Sequence, residues 1–432
     1  MSTHDHMLNS YQDCRIHTRN VLEWEERLKS KGEYSSPKIF RRLPIEVLGE
    51  HWKHIFIPPK SREALMDAQS LAHRRLYRHN IENFIGTVKV PVGLAGPLRV
   101  KGLFANGDYY IPMATTEAAL VASYNRGSKL INEAGGCTAV LLAERVSRAP
   151  GFAFKDLLEV QQFVSWATSQ FEEFKRVAES TTRYGKLIDM KVMVEGNHVY
   201  LNFGFTTGDA SGQNMVTIAT EAICNYIRTN SPVNPQYAFV EANFSGDKKA
   251  NAQSFQQVRG KKVTAEVILS ADLVEKRLHT TPVQMAHLWR LAAIGGILSG
   301  TIGIHAHYAN ALAALYIACG QDAACVAESA VGVTRFEVTE QEELYAAVTL
   351  PNLMVGTVGG GTCLPSQKAC LEILRMAGSG NAQAFAEICA AVCLAGEVSI
   401  AGSICSGHFV RAHELLARDR KELSKSEPHR AR

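Results

Sequence analysis

Four ionisable residues stand among small or apolar neighbours, where a charged group is costly unless it is paired or used. They are Glu117 in MATTEAAL, Lys248 in SGDKKAN, Asp322 in ACGQDAAC and His413 in GHFVRAHELL. A lysine can stabilise the oxyanion that forms when a carbonyl is reduced, and acids and a histidine can donate protons. The four residues would therefore suit carbonyl reduction if the fold brings them together.

Two of these positions also have an ordinary structural interpretation. An aspartate followed by two lysines, Asp247 to Lys249, is usual in a solvated surface turn. His413 shares a helical stripe with Phe409 and Leu416, a pattern typical of a core histidine. Residue types alone leave both alternatives open.

Three segments could bind an anion such as a phosphate. TTGDASGQNM, which contains Asp209, precedes a predicted helix, so it is either an anion site at the positive end of the helix dipole or an ordinary cap. GTVGGGT, residues 356–362, is either a close backbone approach to a ligand or a plain loop. Arg126 and Lys129 share one helix face, as an anion clamp or as a solvated surface. No strand–GxGxxG–helix unit is present, so a Rossmann dinucleotide site is not predicted.

The composition is that of a globular protein without a strong charge bias. Its 432 residues contain 46 Lys and Arg against 42 Asp and Glu, which argues against a nucleic-acid or membrane-surface partner. Ten cysteines without a CxxC pair indicate free thiols and no zinc site, and the N-terminus lacks an apolar signal segment. The apolar stretch from Leu291 to Cys319 is interrupted by polar residues, so we expect buried core there. These features predict a cytoplasmic protein with no metal.

The sequence predicts some of the helices and strands that must position these residues. ENFIGTVKVPVGLAGPL predicts a strand and a tight turn, and the following segment predicts a helix capped near Thr115 or Thr116. One helix is predicted around residues 156–181. Two strands joined at Gly196-Asn197 follow it. Residues from about 150 to 240 therefore look like a separate small α+β module.

These segments, taken in order, resemble the 3-hydroxy-3-methylglutaryl-CoA (HMG-CoA) reductase family over roughly residues 76–418. The Asp-Lys-Lys triplet resembles the form found in the class I branch of the family. No membrane anchor is expected. The motifs that carry the resemblance are ENFIG, PVGLAGPL, PMATTEAALVASYNRG, GDASGQNM, DKK, ACGQDAA, GTVGGGT and GHFVRAH.

The resemblance implies an α+β fold with a large substrate domain, helical and α+β, formed by residues 46–149 and 240–418. A ferredoxin-like cofactor-binding domain, residues 150–239, would be inserted in it. Residues 1–45 lie outside the resemblance; their polar composition, rich in Arg, Lys and Glu, predicts a helical arm, and residues 419–432 are predicted to be a flexible tail. The resemblance also implies a homodimer or higher oligomer with active sites at the subunit interface.

The activity implied is a four-electron reduction of an acyl-CoA thioester to an alcohol with two NADPH, NADH being the poorer donor. Lys248 would polarise the carbonyl, and Asp322 would pair with Lys248 and Glu117 in a buried cluster. That cluster could hold Glu117 partly protonated, as a donor to the aldehyde oxygen. His413 would protonate the departing thiolate.

The resemblance also implies two sets of binding residues. Arg183 would meet the 2′-phosphate of the cofactor, and Arg148 would reach the acyl carboxylate. The remaining cofactor residues would be Thr182, Asp209, Ser211, Gly212, Gln213, Asn214, Val358, Gly359 and Gly360. The remaining substrate residues would be Ser123, Asn125, Arg126, Lys129, Glu241, Asp247, Lys249, Asn310 and His408.

Two pocket positions depart from the family pattern. Glu241 stands where the family has a serine, and Leu291 stands where it has a lysine that anchors the acyl carboxylate; Arg290 lies about 100° away on the helix. Fewer positive charges should disfavour an anionic acyl group. Three interpretations follow: an HMG-CoA reductase, a sister enzyme for another thioester that could bear an amine, and a catalytically silent binding homologue.

Overall fold

The computed structural model describes residues 58–407. Contacts divide the chain into two compact units, one of residues 1–58 and 82–85 and one of residues 59–81 and 86–432. All elements described below belong to the second unit. The predicted arm over residues 1–45, the tail over 419–432, and the predicted site residues His408 and His413 lie outside the described residues.

The second unit contains both helices and strands. The helices are α1 (Pro59–Leu65), α2 (Ala68–Ala72), α3 (Leu120–Glu133), α4 (Leu157–Ser169), α5 (Phe171–Glu179), α6 (Gln213–Asn230), α7 (Ala271–Leu278), α8 (Pro282–Ser299), α9 (Tyr308–Ala318), α10 (Val326–Ser329), α11 (Pro365–Ile373) and α12 (Ala382–Cys405). The strands are β1 (Val92–Gly102), β2 (Asn106–Ala114), β3 (Cys137–Arg148), β4 (Gly151–Ala153), β5 (Lys186–Glu195), β6 (His198–Thr206), β7 (Tyr237–Phe239), β8 (Gly260–Leu269), β9 (Val333–Val338) and β10 (Leu344–Leu353).

Strand β3 joins two parts of one ten-stranded sheet, whose main path runs β7-β4-β6-β3-β8-β10-β9. Its residues from Thr138 to Arg145 pair with β8, and its last residues, Val146 to Arg148, pair with β6. Arg148 therefore sits where the inserted module leaves the larger part of the fold. The sheet geometry holds this side chain close to both parts.

The inserted module is ferredoxin-like, as predicted. Its elements follow the order β4-α4-α5-β5-β6-α6-β7, and β6 lies between β5 and β4 while β4 also pairs with β7, always antiparallel. The two-residue turn at Gly196-Asn197 joins β5 and β6 as expected, with Gly196 at φ 54°. The α+β fold class and the hairpin are therefore confirmed.

The single helix predicted around residues 156–181 is wrong, because the chain turns at Gln170 and forms α4 and α5. The turn lets Phe174 pack edge-on against Trp166 and Phe203 while its side chain is fully buried. Helical periodicity runs through both segments, so it could not locate the change of direction.

The tight turn predicted in PVGLAGPL is also wrong. The segment stays in β1 and pairs with β2 on both sides of an irregularity between Ala95 and Leu98. Gly96 lies there at φ 100°, a conformation that glycine adopts without strain. Glycine and proline marked a strand bulge here and not a chain reversal.

The apolar stretch from Leu291 to Cys319 does not form one buried segment. Helix α9 is largely buried, but the second half of α8 is exposed, with Leu291 at 71% and Leu298 at 82% of full exposure. Ile294 and Ile297 are exposed beside them. The core prediction is therefore wrong for the α8 half, because hydropathy does not say which apolar surface the same chain covers.

The core is organised around α12. This helix is long and apolar enough to cross a membrane, yet 83% of its most apolar window is buried inside the protein, so it is a core helix. Glu387 on α12 is fully buried and accepts hydrogen bonds from the backbone N–H groups of Leu103, Phe104, Ala105 and Leu141, at 2.8 to 3.3 Å. One carboxylate thus fixes the β1–β2 turn and a bulge of β3 to the central helix.

Replacing Glu387 by Ala should lower the free energy of unfolding by at least about 2 kcal/mol, because several buried N–H groups lose their acceptor. Denaturant unfolding followed by circular dichroism measures this change. Glu372→Gln, an exposed carboxylate on α11 that pairs with Lys368, is the control and should change stability by less than about 0.5 kcal/mol. Equal, small effects of both substitutions would contradict a structural role for Glu387.

Candidate active site

An ion pair joins two of the predicted catalytic residues. Lys248 Nζ lies 2.9 Å from Asp322 Oδ2, and the other Asp322 oxygen accepts the N–H of Ala324 at 3.0 Å. Lys248 has φ 55°, a strained left-handed backbone that is uncommon for a residue with a Cβ. The hydrogen bond to Asp322 raises the pKa of Lys248, so its ammonium stays charged at neutral pH.

The Asp247 side chain forms hydrogen bonds with two arginines. Its two oxygens accept from Arg148 Nη1 at 3.1 Å and from Arg259 Nη2. Burial alone would raise the pKa of Asp247, but Arg259 and Arg148 together hold it below its usual value. Lys249 is exposed, and its Nζ donates to the Asp247 carbonyl at 2.9 Å. The three charged neighbours in sequence therefore serve three different purposes.

Glu241 contacts the same arginine. Its Oε2 accepts from Arg148 Nη1 at 3.0 Å, so one guanidinium nitrogen donates to two carboxylates. Glu241 Oε1 and Arg148 Nε are both buried, and neither has a hydrogen-bond partner among the described residues. The position that departs from the family pattern is thus paired with the residue predicted to reach the acyl carboxylate.

Sequence reasoning missed two charged residues of this group. Arg259, the residue before β8, is almost fully buried and donates to the Ser147 carbonyl at 2.7 Å. Glu328 is fully buried with its Oε1 3.6 Å from Arg259 Nε, and burial raises the pKa of Glu328. Arg259 precedes two lysines, which resembles a surface segment, so no local signal could have identified it.

A cavity of about 740 Å³ lies between α3, α9 and α12. It is lined by Glu117 and by three predicted substrate residues, Ser123, Arg126 and Asn310. His307, which was not predicted, also lines it, and its Nδ1 lies 3.2 Å from the buried hydroxyl of Tyr124. Burial holds the pKa of Tyr124 well above its usual range.

Arg126 and Lys129, which the sequence left open as an anion clamp or a solvated face, have different surroundings. The Arg126 guanidinium donates to Ser399 Oγ at 2.9 Å, to the Ser399 carbonyl and to Ser403 on α12, while Lys129 is exposed. Helical spacing placed the two residues on similar faces, but the serines of α12 hold the arginine. Asn125 instead accepts the N–H of Gly96 at 3.2 Å.

Glu117 lies apart from the Lys248–Asp322 pair. Helix α3 begins at Leu120 and not at Thr115, because Ala119 adopts φ 68° and the Glu117 N–H bonds to Thr115 Oγ1. Within residues 58–407 no hydrogen bond or ion pair links Glu117 to Lys248 or Asp322. The buried three-residue cluster is therefore not formed within this chain, and the side chains of Lys248 and Asp322 remain 44% and 43% exposed.

The two glycine-containing segments predicted for the cofactor lie against each other. The Asp209 carbonyl accepts from Thr357 N at 2.8 Å, and a Cβ at Gly356 would come within 2.5 Å of Ser211 N. Gly359 and Gly360, both with positive φ, border open space. The beginning of α6 and the glycine loop thus form one surface.

The turn that carries Arg183 also approaches this surface. Thr182 Oγ1 accepts from the N–H groups of Tyr184 and Gly185, and Arg183 is exposed. A Cβ at Gly185 would come within 2.8 Å of Met215 Sδ, in the first turn of α6. Gln213 is less available, since its amide donates to Cys325 Sγ at 2.7 Å.

The Asp209 carboxylate has a structural use that the sequence did not predict. It accepts from the N–H groups of Gly380 at 2.8 Å and Ala382 at 3.2 Å, where α12 begins, and Asn381 makes no side-chain cap of its own. The predicted contact between this carboxylate and a cofactor is therefore not supported. Only the backbone of Asp209 faces the glycine loop.

Replacing Asp209 by Ala should lower the free energy of unfolding by about 1–2 kcal/mol, as loss of a helix cap does. NADPH affinity, measured by fluorescence titration, should change by less than threefold. Asp209→Asn keeps one acceptor oxygen and should have the smaller effect on stability. Unchanged stability together with a tenfold loss of NADPH affinity would mean that the carboxylate binds the cofactor.

Comparison with known proteins assigns the family. Residues 52–418 match the family model for hydroxymethylglutaryl-coenzyme A reductase. The 3-hydroxy-3-methylglutaryl-coenzyme A reductase of Methanocaldococcus jannaschii is 41% identical over 90% of this chain and 95% of that protein. The enzyme of Aeropyrum pernix is 44% identical over 82% of this chain and 85% of that protein.

A solved structure supports the same fold. The class II 3-hydroxy-3-methylglutaryl-CoA reductase from Streptococcus pneumoniae, bound to NADPH, superposes with a TM-score of 0.63 over 83% of this chain and 96% of that chain, at 21% identity. At this identity the likeness concerns the fold alone. The family model and the closely similar sequences carry the assignment: the chain belongs to the hydroxymethylglutaryl-coenzyme A reductase family.

Proposed function

We propose that this protein reduces HMG-CoA to mevalonate and free CoA, with oxidation of two NADPH. The first hydride converts the thioester to a hemithioacetal, which releases the CoA thiolate and leaves an aldehyde, and the second hydride gives the alcohol. The observation that carries this proposal is the Lys248–Asp322 ion pair beside the Arg148–Asp247 group, in a chain of this family. A fixed cation is required in both steps, because each develops negative charge on the same oxygen.

The roles proposed for the remaining groups are those that the family resemblance implies. Lys248 stabilises the oxyanion, and Asp322 keeps it charged and oriented. Glu117 donates a proton to the aldehyde oxygen. His413 protonates the CoA thiolate, which otherwise adds back to the aldehyde. Arg148 binds the acyl carboxylate, and Ser123, Asn125, Arg126, Lys129, Lys249, Asn310 and His408 complete the substrate site.

We further propose that the ferredoxin-like module, residues 150–239, binds NADPH, and that residues 46–149 and 240–418 bind the acyl-CoA. The adjoining backbones of residues 209–214 and 356–360 would receive the cofactor. The exposed Arg183 would meet its 2′-phosphate, which favours NADPH over NADH. The NADPH named with the similar Streptococcus pneumoniae structure supports this choice.

A homodimer or higher oligomer would complete the active site. Glu117 and the Lys248–Asp322 pair do not meet in one chain, and two copies could bring them together. The exposed apolar surface of α8, formed by Leu291, Ile294, Ile297 and Leu298, is the kind of surface that subunit contacts cover. A cytoplasmic location is also proposed, since the nine cysteines in the described part of the chain are free.

The protein should consume two NADPH and release one thiol per HMG-CoA, measured by absorbance at 340 nm and by thiol titration. Lys248→Ala should lower kcat by about 10²–10³-fold in the reduction of both the thioester and a supplied aldehyde. Lys368→Ala, which removes an exposed lysine of α11, is the control and should leave kcat unchanged.

Other outcomes would select the alternatives. One NADPH per thioester with accumulating aldehyde would contradict the four-electron reaction. Turnover of other acyl-CoA substrates without HMG-CoA turnover would indicate the sister enzyme. No NADPH oxidation with any acyl-CoA tested would indicate a silent binding homologue.

Leu298→Asp should dissociate the oligomer and abolish turnover, because a charge in an apolar contact must be desolvated. Sedimentation velocity measures the mass, and NADPH oxidation measures the activity. Leu158→Asp places the same charge on an exposed leucine of α4 and should change neither quantity. An active monomer of the Leu298→Asp protein would contradict an active site shared between subunits.

A further inference from the structure

The buried guanidinium of Arg148 is already occupied within the protein. Its side chain is 7% exposed, and its Nη1 donates to Glu241 Oε2 at 3.0 Å and to Asp247 Oδ2 at 3.1 Å. Water screens so buried a pair weakly, so the interaction is stronger than at a surface. An incoming carboxylate would meet a cation that two internal acids already neutralise.

The two acids are not equally held. Asp247 accepts from two arginines, Arg148 and Arg259, and its N–H bonds to Ser245 Oγ at 3.2 Å. Among the described residues Glu241 is paired only with Arg148, and 23% of its side chain is exposed. Asp247 is almost equally exposed, at 21%, so the difference lies in the partners: a ligand must separate Glu241 from one arginine but Asp247 from two.

The backbone keeps Glu241 beside its partner. The N–H of Ala242 donates to the Ala149 carbonyl at 2.9 Å, so the residues that follow Glu241 and Arg148 are hydrogen-bonded to each other. The Glu241–Arg148 contact is thus built into the fold by this bridge, next to the end of β3. The backbone, and not the side-chain conformations alone, holds the two residues close together.

The pair is also incomplete. Glu241 binds through one oxygen, which leaves its Oε1 and Arg148 Nε buried without hydrogen-bond partners. A carboxylate bound side-on would use Nε and Nη2, as Asp108 does on Arg99, and would leave Nη1 to the internal acids. Glu241 thus leaves the two-bond edge of Arg148 unused, and a ligand carboxylate bound there would lie beside the Glu241 charge.

We propose that Glu241 is an internal competitor for Arg148 and a specificity-determining residue of the acyl site. This rests on the proposed function, in which Arg148 binds the acyl carboxylate. A ligand with a free carboxylate must displace Glu241 or lie beside its charge, and both weaken binding. A ligand whose acyl end is neutral carries no such cost. Glu241 therefore reduces the affinity difference by which the site favours acyl groups with a carboxylate over neutral ones.

The test compares the full-length protein with Glu241→Gln, which keeps the side-chain shape and removes the charge. Calorimetric titration with 3-hydroxy-3-methylglutarate, the free diacid, should show at least tenfold tighter binding to Glu241→Gln. The KM for HMG-CoA should be lower in Glu241→Gln than in the unmodified protein, with little change in kcat. Affinity for free CoA, which lacks the acyl group, should stay the same.

Two further variants locate the effect. Glu221→Gln removes the same charge from an exposed pair with Arg228 and should leave the diacid affinity unchanged. Arg148→Gln combined with Glu241→Gln should lose the gained affinity, because the gain requires the freed guanidinium. Glu241→Ser repeats the test if Glu241→Gln does not fold.

Diacid affinity that is unchanged or weaker in a folded Glu241 variant would overturn the proposal. The calorimetric readout does not depend on turnover. Failure of this inference is therefore distinct from failure of the proposed function, which would be the absence of HMG-CoA reduction by the unmodified protein.

Discussion

The structure depends on hydrogen bonds to two buried carboxylates of the central helix, Glu387 and Glu397. Helix α12 carries Glu387 and Glu397 into the core, and each carboxylate accepts backbone N–H groups from a loop that it thereby fixes. Glu397 holds Ala306 and His307 at the wall of the cavity, as Glu387 holds the β1–β2 turn. Removing either acceptor would leave buried N–H groups unpaired and would destabilise the folded state.

The same helix links the two regions proposed for substrate and cofactor. Ser399 and Ser403 hold Arg126 at the cavity, while the N-terminus of α12 takes the Asp209 carboxylate and so fixes the segment before α6. Neither region can shift along α12 without breaking a hydrogen bond. The charged groups of the 241–248 loop are ordered differently, by opposite charges: Glu241 and Asp247 pair with Arg148, and Lys248 pairs with Asp322.

Local features of the fold could be predicted from the sequence because they depend on a few neighbouring residues. Gly196-Asn197 specifies a hairpin by backbone conformation alone. The direction of a side chain depends on distant partners: Asp209 precedes a helix as an anion site would, but its carboxylate caps α12 instead. Arg126 likewise bonds to serines more than 270 positions away in sequence. Apolar composition was equally unable to show that Leu298 faces outward.

The exposure of the Lys248–Asp322 pair has a consequence for the proposed chemistry. A lysine that is 44% exposed is partly screened by water, so its ability to stabilise an oxyanion is below that of a buried cation. Covering the pair with a second subunit would remove water and bring in a proton donor such as Glu117 in one step. Catalysis and subunit association would then be coupled. Burial of the apolar surface of α8 would supply the free energy needed to desolvate Lys248 and Asp322.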